Sequence, residues 1–120
     1  MPGHVGLGMA PTPEQQSEVD RLAGELSGLG FVLPGTLTRR LMRCGRPNCH
    51  CHAEPPVLHG PYEQWTRKVA AKTVTRFFSA EMAEDYRPWL DNCKRLRALV
   101  ARLEALGIEV AEADPRWQRR

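Results

Sequence analysis

Val19, Leu22, Leu26 and Leu29 recur every three or four positions with charged residues between them, which predicts an amphipathic helix over residues 14–30. Gly28 and Gly30 supply its stop, and Pro34-Gly35 marks the turn that follows. Residues 1–13 hold three Gly and three Pro without periodicity and read as a flexible arm. Leu37, Leu41 and Met42 among Thr and Arg give an imperfect alternation, a short strand over Thr36–Arg43. Tyr62–Val69 and Thr73–Phe78 are rich in β-branched and aromatic residues. Joined by Ala70-Ala71-Lys72, they predict a β-hairpin whose link lacks the usual Asn or Gly.

Ser79 is a good N-cap for the last long element. Met82, Tyr86, Trp89, Cys93, Leu96, Val100 and Leu103 step by four and three, a heptad seam. Pro88 implies either a kink or a helix start near Arg87, and Gly107 ends the pattern. The seam suits packing within the chain around Tyr86 and Trp89. Its half from Cys93 to Leu103, flanked by Arg95, Arg97 and Arg102, also offers a homodimer. Residues 108–120 read as a polar tail. The zinc-loop sheet and this helix form the main body, residues 31–107, an α+β domain with a three-stranded antiparallel sheet.

Between the first strand and the hairpin lies a stretch with no period at all. Residues 44–61 are rich in Cys, His, Pro and Gly, so no ordinary core orders them. Cys44-Gly-Arg-Pro-Asn-Cys49-His-Cys51 sets three thiols within eight residues, on a loop that Gly45 and Pro47 let bend back. Zn²⁺ takes four borderline-soft ligands in a tetrahedron. Cys93 lies far away on the helix, so the fourth ligand is a histidine. His50 and His52 sit beside ligand cysteines and would need a contorted backbone. His59, eight residues past Cys51, closes the set best, with His52 second. The site is thus Cys44, Cys49, Cys51 and His59 around one structural zinc. An iron–sulfur reading fails by one residue in the second spacing of the plant-type pattern.

With 120 residues, 42% hydrophobic and 26% charged, the chain has ordinary globular composition and room for one modest core. No apolar run reaches a membrane span, and the N-terminus does not read as a signal peptide. A cytoplasmic setting is expected, where closely spaced cysteines bind metal more often than they pair. Net charge is only +3, but it is unevenly spread. From Thr36 to Arg76 stand Arg39, Arg40, Arg43, Arg46, Arg67, Lys68, Lys72 and Arg76 against Glu54 and Glu63. Such a field suits a polyanion.

The stretches Leu33-Pro-Gly-Thr-Leu-Thr-Arg-Arg40, Arg43–Cys51, His59-Gly-Pro-Tyr62 and Lys72–Phe77 together resemble a family of small bacterial and archaeal proteins of unknown function, the DUF6788 type. The resemblance runs over residues 31–106. It matches Cys44, Cys49, Cys51 and His59 to the family's pattern, and departs at Ala70-Ala71, where relatives often carry glycine. The family's occurrence near mobile-element genes implies a nucleic-acid role and a recombinase or transposase partner.

In the last hairpin strand Val74, Arg76 and Phe78 share one face, and Thr73, Thr75 and Phe77 the other. Basic and aromatic side chains so mixed suit phosphate contact and base stacking. The expectation is a zinc-stabilised accessory protein that binds nucleic acid, DNA rather than RNA, through those eight basic residues. The alternatives are a protein–protein adaptor with a purely structural zinc, and a thiol enzyme using Cys51 beside His50 and His52. No nucleophile–base pair, paired carboxylates or phosphate loop supports catalysis otherwise.

Overall fold

A computed structural model describes residues 10–118. The expected arm therefore lies mostly outside the described residues. Its last residues are not loose: Thr12 caps helix α1, Pro13–Ser27, with Pro13 in the first turn. The Thr12 hydroxyl accepts from the Gln15 backbone N–H (3.0 Å), and Gln15 Oε1 accepts from the Thr12 N–H (2.9 Å). This reciprocal pair satisfies two of the free donors at the helix start. The helix thus begins one residue earlier than the apolar period indicates.

Three strands follow: β1 Thr36–Met42, β2 His59–Val69 and β3 Lys72–Phe78. They form one antiparallel sheet in the order β1-β2-β3. A single 3-10 turn, His50–His52, interrupts the connection from β1 to β2. Helix α2 is one continuous element, Ala80–Glu112, and a last 3-10 turn spans Pro115–Gln118. No described helix is long and apolar enough to cross a membrane.

The described residues divide into two compact units, 10–30 with 94–118, and 31–93. In the first, Leu22 of α1 buries against Leu99 and Leu106 of α2, with Val19, Leu26, Leu29 and Leu103 around them. Glu18 bonds Arg102 Nε at 3.1 Å, and Glu25 pairs with Arg95. Of the half of the seam that sequence offered to a second subunit, Leu103 packs on this core while Val100 is exposed. Gly107 does not stop α2, because the contacts with α1 continue past it: Gln15 Nε2 reaches Glu109 Oε1 at 3.4 Å. The helical cost of one glycine is about 1 kcal/mol.

In the second unit, Trp65, Arg67 and Glu63 of β2 share a face with Arg76, Val74 and Phe78 of β3. The first half of α2 covers this face. Trp65 stacks on Phe78 (5.2 Å between centroids), Phe78 meets Tyr86, and Tyr86 meets Trp89 edge-on. Phe31 stacks on Trp89 at 4.7 Å. The Leu33 N–H bonds the Trp89 carbonyl (3.0 Å) and Asn92 Nδ2 bonds the Phe31 carbonyl (2.8 Å). These contacts hold α2 on both sides of Pro88, which lacks an N–H to give to the preceding turn. Ala83, Leu90 and Cys93 are buried here, whereas Met82 and Val100 of the heptad seam are exposed. A 3.6-residue helix drifts from a strict 3.5-residue stripe, so the buried line moves off the heptad positions.

The opposite face of the sheet carries Tyr62, Gln64, Thr66 and Lys68 of β2, Arg40 of β1 and Phe77 of β3. It is largely exposed. The hairpin closes through Ala70 (φ 51°) and Ala71 (φ 69°) alone, with Val69 paired to Lys72. The link is therefore two residues, not three, with both alanines in the left-handed region that a type I′ turn demands.

Candidate metal centre

Met42 is the last residue of β1, so the chain leaves the sheet at Arg43 and Cys44 follows at once. Pro47 and Asn48 turn it back: the Cys49 N–H bonds the Arg46 carbonyl at 3.1 Å. Cys49 then precedes the 3-10 turn in which Cys51 lies, fully buried. The His52 and Ala53 N–H groups bond the carbonyls of Cys49 and His50 (3.0 and 3.1 Å), which fixes that turn.

The return to the sheet is irregular. Arg40 pairs with Tyr62, but Met42 pairs with His59, so β2 carries one extra residue across this interval. Such a bulge shifts the strand by one residue and moves a side chain to the other face. Gly60, at φ 113°, makes it possible: a Cβ there would stand 2.8 Å from both the Arg40 carbonyl oxygen and the Tyr62 nitrogen. The bulge puts His59 beside Met42 and Tyr62, on the open face and toward the cysteine loop.

The sulfurs of Cys44, Cys49 and Cys51 and a ring nitrogen of His59 all lie within 4.8 Å of one another. Cys44 Sγ is 3.6 Å from Cys51 Sγ, and Cys49 Sγ is 3.1 Å from His59 Nε2. An ion with metal–sulfur bonds of about 2.3 Å in a tetrahedron spaces its ligand atoms about 3.8 Å apart, so the four donors fit one ion after small adjustments. His52 has another role. Its Nε2 donates to the Cys44 carbonyl at 2.8 Å, which ties the two ends of the loop together. His50 packs beside the set, its ring 5.2 Å from that of His59.

The loop also prepares the sulfurs for a cation. The Cys44 N–H points to Cys51 Sγ at 3.3 Å. The Cys49 thiol is drawn down to about 6, chiefly by the backbone N–H of Cys51, with the side chains of Cys44, Cys51 and His59 adding to it. Burial pushes the Cys51 thiol above its ordinary value. Thiolates, not thiols, ligate metals, so the donors aimed at Cys49 favour its ligating form, while the burial of Cys51 opposes it.

The eight basic residues are brought to three places. Arg39, Arg67, Lys72 and Arg76 belong to the helix-covered face by register, Arg40 and Lys68 to the open face, and Arg43 and Arg46 to the metal-site loop. Arg39 binds Glu63 through Nε and Nη2 to a single carboxylate oxygen (3.0 and 2.9 Å). Glu63 is itself 7% exposed. Arg67 lies over the Trp65 ring at 4.8 Å. Arg40 Nη1 bonds Gln64 Oε1 at 3.3 Å. Among the described residues, none of the eight except Arg39 is in an ion pair. Two aromatic side chains that the motif reading did not single out adjoin the site: Tyr62 and Phe77 line a cavity of about 300 Å³ with Met42, Arg43, Cys44 and His59. Tyr62 was visible in the His-Gly-Pro-Tyr stretch. Phe77 carried no signal beyond its strand parity.

A family model described as a domain of unknown function (DUF6788) matches residues 12–87. No curated protein and no solved structure matches the chain.

Proposed function

Because the chain belongs to the DUF6788 family, whose description assigns no activity, we propose a role read from its own residues: a small zinc-stabilised accessory protein that binds the phosphate backbone of nucleic acid. Three sulfurs and one imidazole at tetrahedral spacing suit zinc better than the hard cations, which take oxygen. Four protein donors leave no open coordination position, so the ion is structural and the protein is a binding module rather than an enzyme. It joins the end of β1 to the start of β2 and so fixes the sheet.

The observation that carries the binding reading is the state of the basic side chains. Glu63 neutralises Arg39, while Arg40, Arg43, Arg46, Arg67, Lys68, Lys72 and Arg76 have no carboxylate partner among the described residues. Six of these, Arg40, Arg43, Arg46, Lys68, Lys72 and Arg76, are exposed with their charge uncompensated and so are available to phosphates, whereas Arg67 is half-buried over Trp65. The test is fluorescence anisotropy on zinc-loaded protein with a labelled oligonucleotide at several salt concentrations. Release of counterions from a few phosphates lowers affinity about a hundredfold between roughly 50 and 200 mM salt. Affinity that is flat with salt, or no binding at low salt, overturns the reading.

A further inference from the structure

The basic strands alone do not separate a duplex from an unpaired strand. The aromatic residues do. Phe31, Trp65, Phe78, Tyr86 and Trp89 pack among themselves on the helix-covered side of the sheet. Tyr62 and Phe77 stand apart from them on the open face, 39% and 54% exposed. Their rings are 5.7 Å apart and tilted by 55°, so each presents its own surface. Exposing two adjacent rings on a sheet forgoes hydrophobic burial.

The surroundings say what covers them. Among the described residues the strand positions of the open face carry no carboxylate: they are threonines, Gln64, Arg40, Lys68, Met42, His59 and the two rings. Arg40 lies directly across from Tyr62 in the β1–β2 register, and Arg43 lines the cavity beside both rings. An apolar protein segment would meet uncompensated cations there, whereas a chain of alternating bases and phosphates meets rings and cations in turn. A duplex keeps its bases stacked inside and leaves the rings unused.

We propose that the open face of the sheet binds single-stranded nucleic acid, with successive bases stacked on Tyr62 and Phe77 and the adjoining phosphates on Arg40 and Arg43. This rests on the nucleic-acid reading above and names its substrate. The metal loop takes part by position: it holds His59 and Cys44 as one wall of the cavity into which a base beside Tyr62 projects.

The experiment compares the zinc-loaded full chain with labelled oligothymidylate of about twelve nucleotides, a duplex of equal length and the matching oligouridylate, by anisotropy. The variants are Phe77→Ala, Phe77→Leu and Phe77→Trp, each checked for zinc content and circular dichroism. The expected result is tighter binding of both single strands than of the duplex. Phe77→Ala and Phe77→Leu weaken it roughly ten- to hundredfold, while Phe77→Trp retains it. Phe77→Leu keeps the apolar bulk, so its loss isolates stacking. If the duplex binds as tightly as the strand, or the folded Leu variant binds unchanged, the stacking proposal falls while backbone binding stands. Absence of binding to all three overturns both readings.

Discussion

His59 Nε2 lies 3.1 Å from Cys49 Sγ because His59 faces Met42, not the partner that unbroken pairing would give it. The fourth ligand reaches the cysteine loop through a bulge, and the bulge depends on Gly60. A methyl group there meets two backbone atoms at 2.8 Å, and φ of 113° is foreign to L-residues. Gly60→Ala is expected to destabilise the protein by about 1–3 kcal/mol and to weaken metal retention together with it. Gly45→Ala, where a Cβ meets nothing within 4 Å, is expected to do neither. Thermal melts with parallel elemental analysis separate the two.

The ligand set makes a second, sharper statement about histidines. His52→Ala removes the bond to the Cys44 carbonyl but no metal ligand, so one ion per chain is expected to remain. Cys51→Ser and His59→Ala are expected to lose the ion or hold it at least tenfold more weakly. Elemental analysis after dialysis against a chelator reads this directly. Loss of metal in His52→Ala to the same degree as in His59→Ala would reverse the assignment.

The hairpin turn is built from the wrong residues for its geometry. Ala70 and Ala71 both hold positive φ, which disfavours any residue with a Cβ by about 1 kcal/mol or more. Replacing Ala70-Ala71 by Asn-Gly is expected to raise stability by about 1 kcal/mol and leave metal content unchanged. Denaturant midpoints of the two proteins measure it. An unchanged or lower midpoint would show that the turn is not a type I′ pair.

Gly107 sits inside α2 with nothing within 4 Å of the place a Cβ would take. Gly107→Ala is expected to stabilise by up to about 1 kcal/mol. Leu99→Ala, in the core with Leu22 and Leu106, is expected to cost about 2–5 kcal/mol. Both are read by chemical denaturation.

These positions also show what the sequence discloses and what it hides. Periodicity placed three strands and two helices, since strand parity and helical spacing act within a few residues. Strand parity correctly set Val74, Arg76 and Phe78 on one face. The cysteine spacing and elimination of the crowded histidines led to His59. The bulge was hidden, because it is a property of two strands whose flanking pairs, Met42 with His59 and Arg40 with Tyr62, are distant in the chain, and of one glycine's φ. Gly107 misled for a related reason: it disrupts an isolated helix, but α1 with Glu109 holds α2 together across it, while Phe31 and Asn92 hold α2 beside Pro88. Thr12-Pro13-Glu14-Gln15 carried a legible capping box that apolar spacing alone overlooked. The spread of basic residues over two faces and a loop follows from register, which composition does not contain.

The connection from β1 to β2 also bears on the order in which the sheet assembles. The β2–β3 hairpin closes over two residues, whereas β1 joins β2 only after the 16 residues between Met42 and His59 have closed. Chain statistics put that closure about 2 kcal/mol above the hairpin's. An ion that grips Cys44 at one end of this connection and His59 at the other makes the two strand ends neighbours before any β1–β2 hydrogen bond forms. On that account β1 joins the sheet when the ion binds, and the rate at which newly made chains complete the sheet follows the supply of that ion.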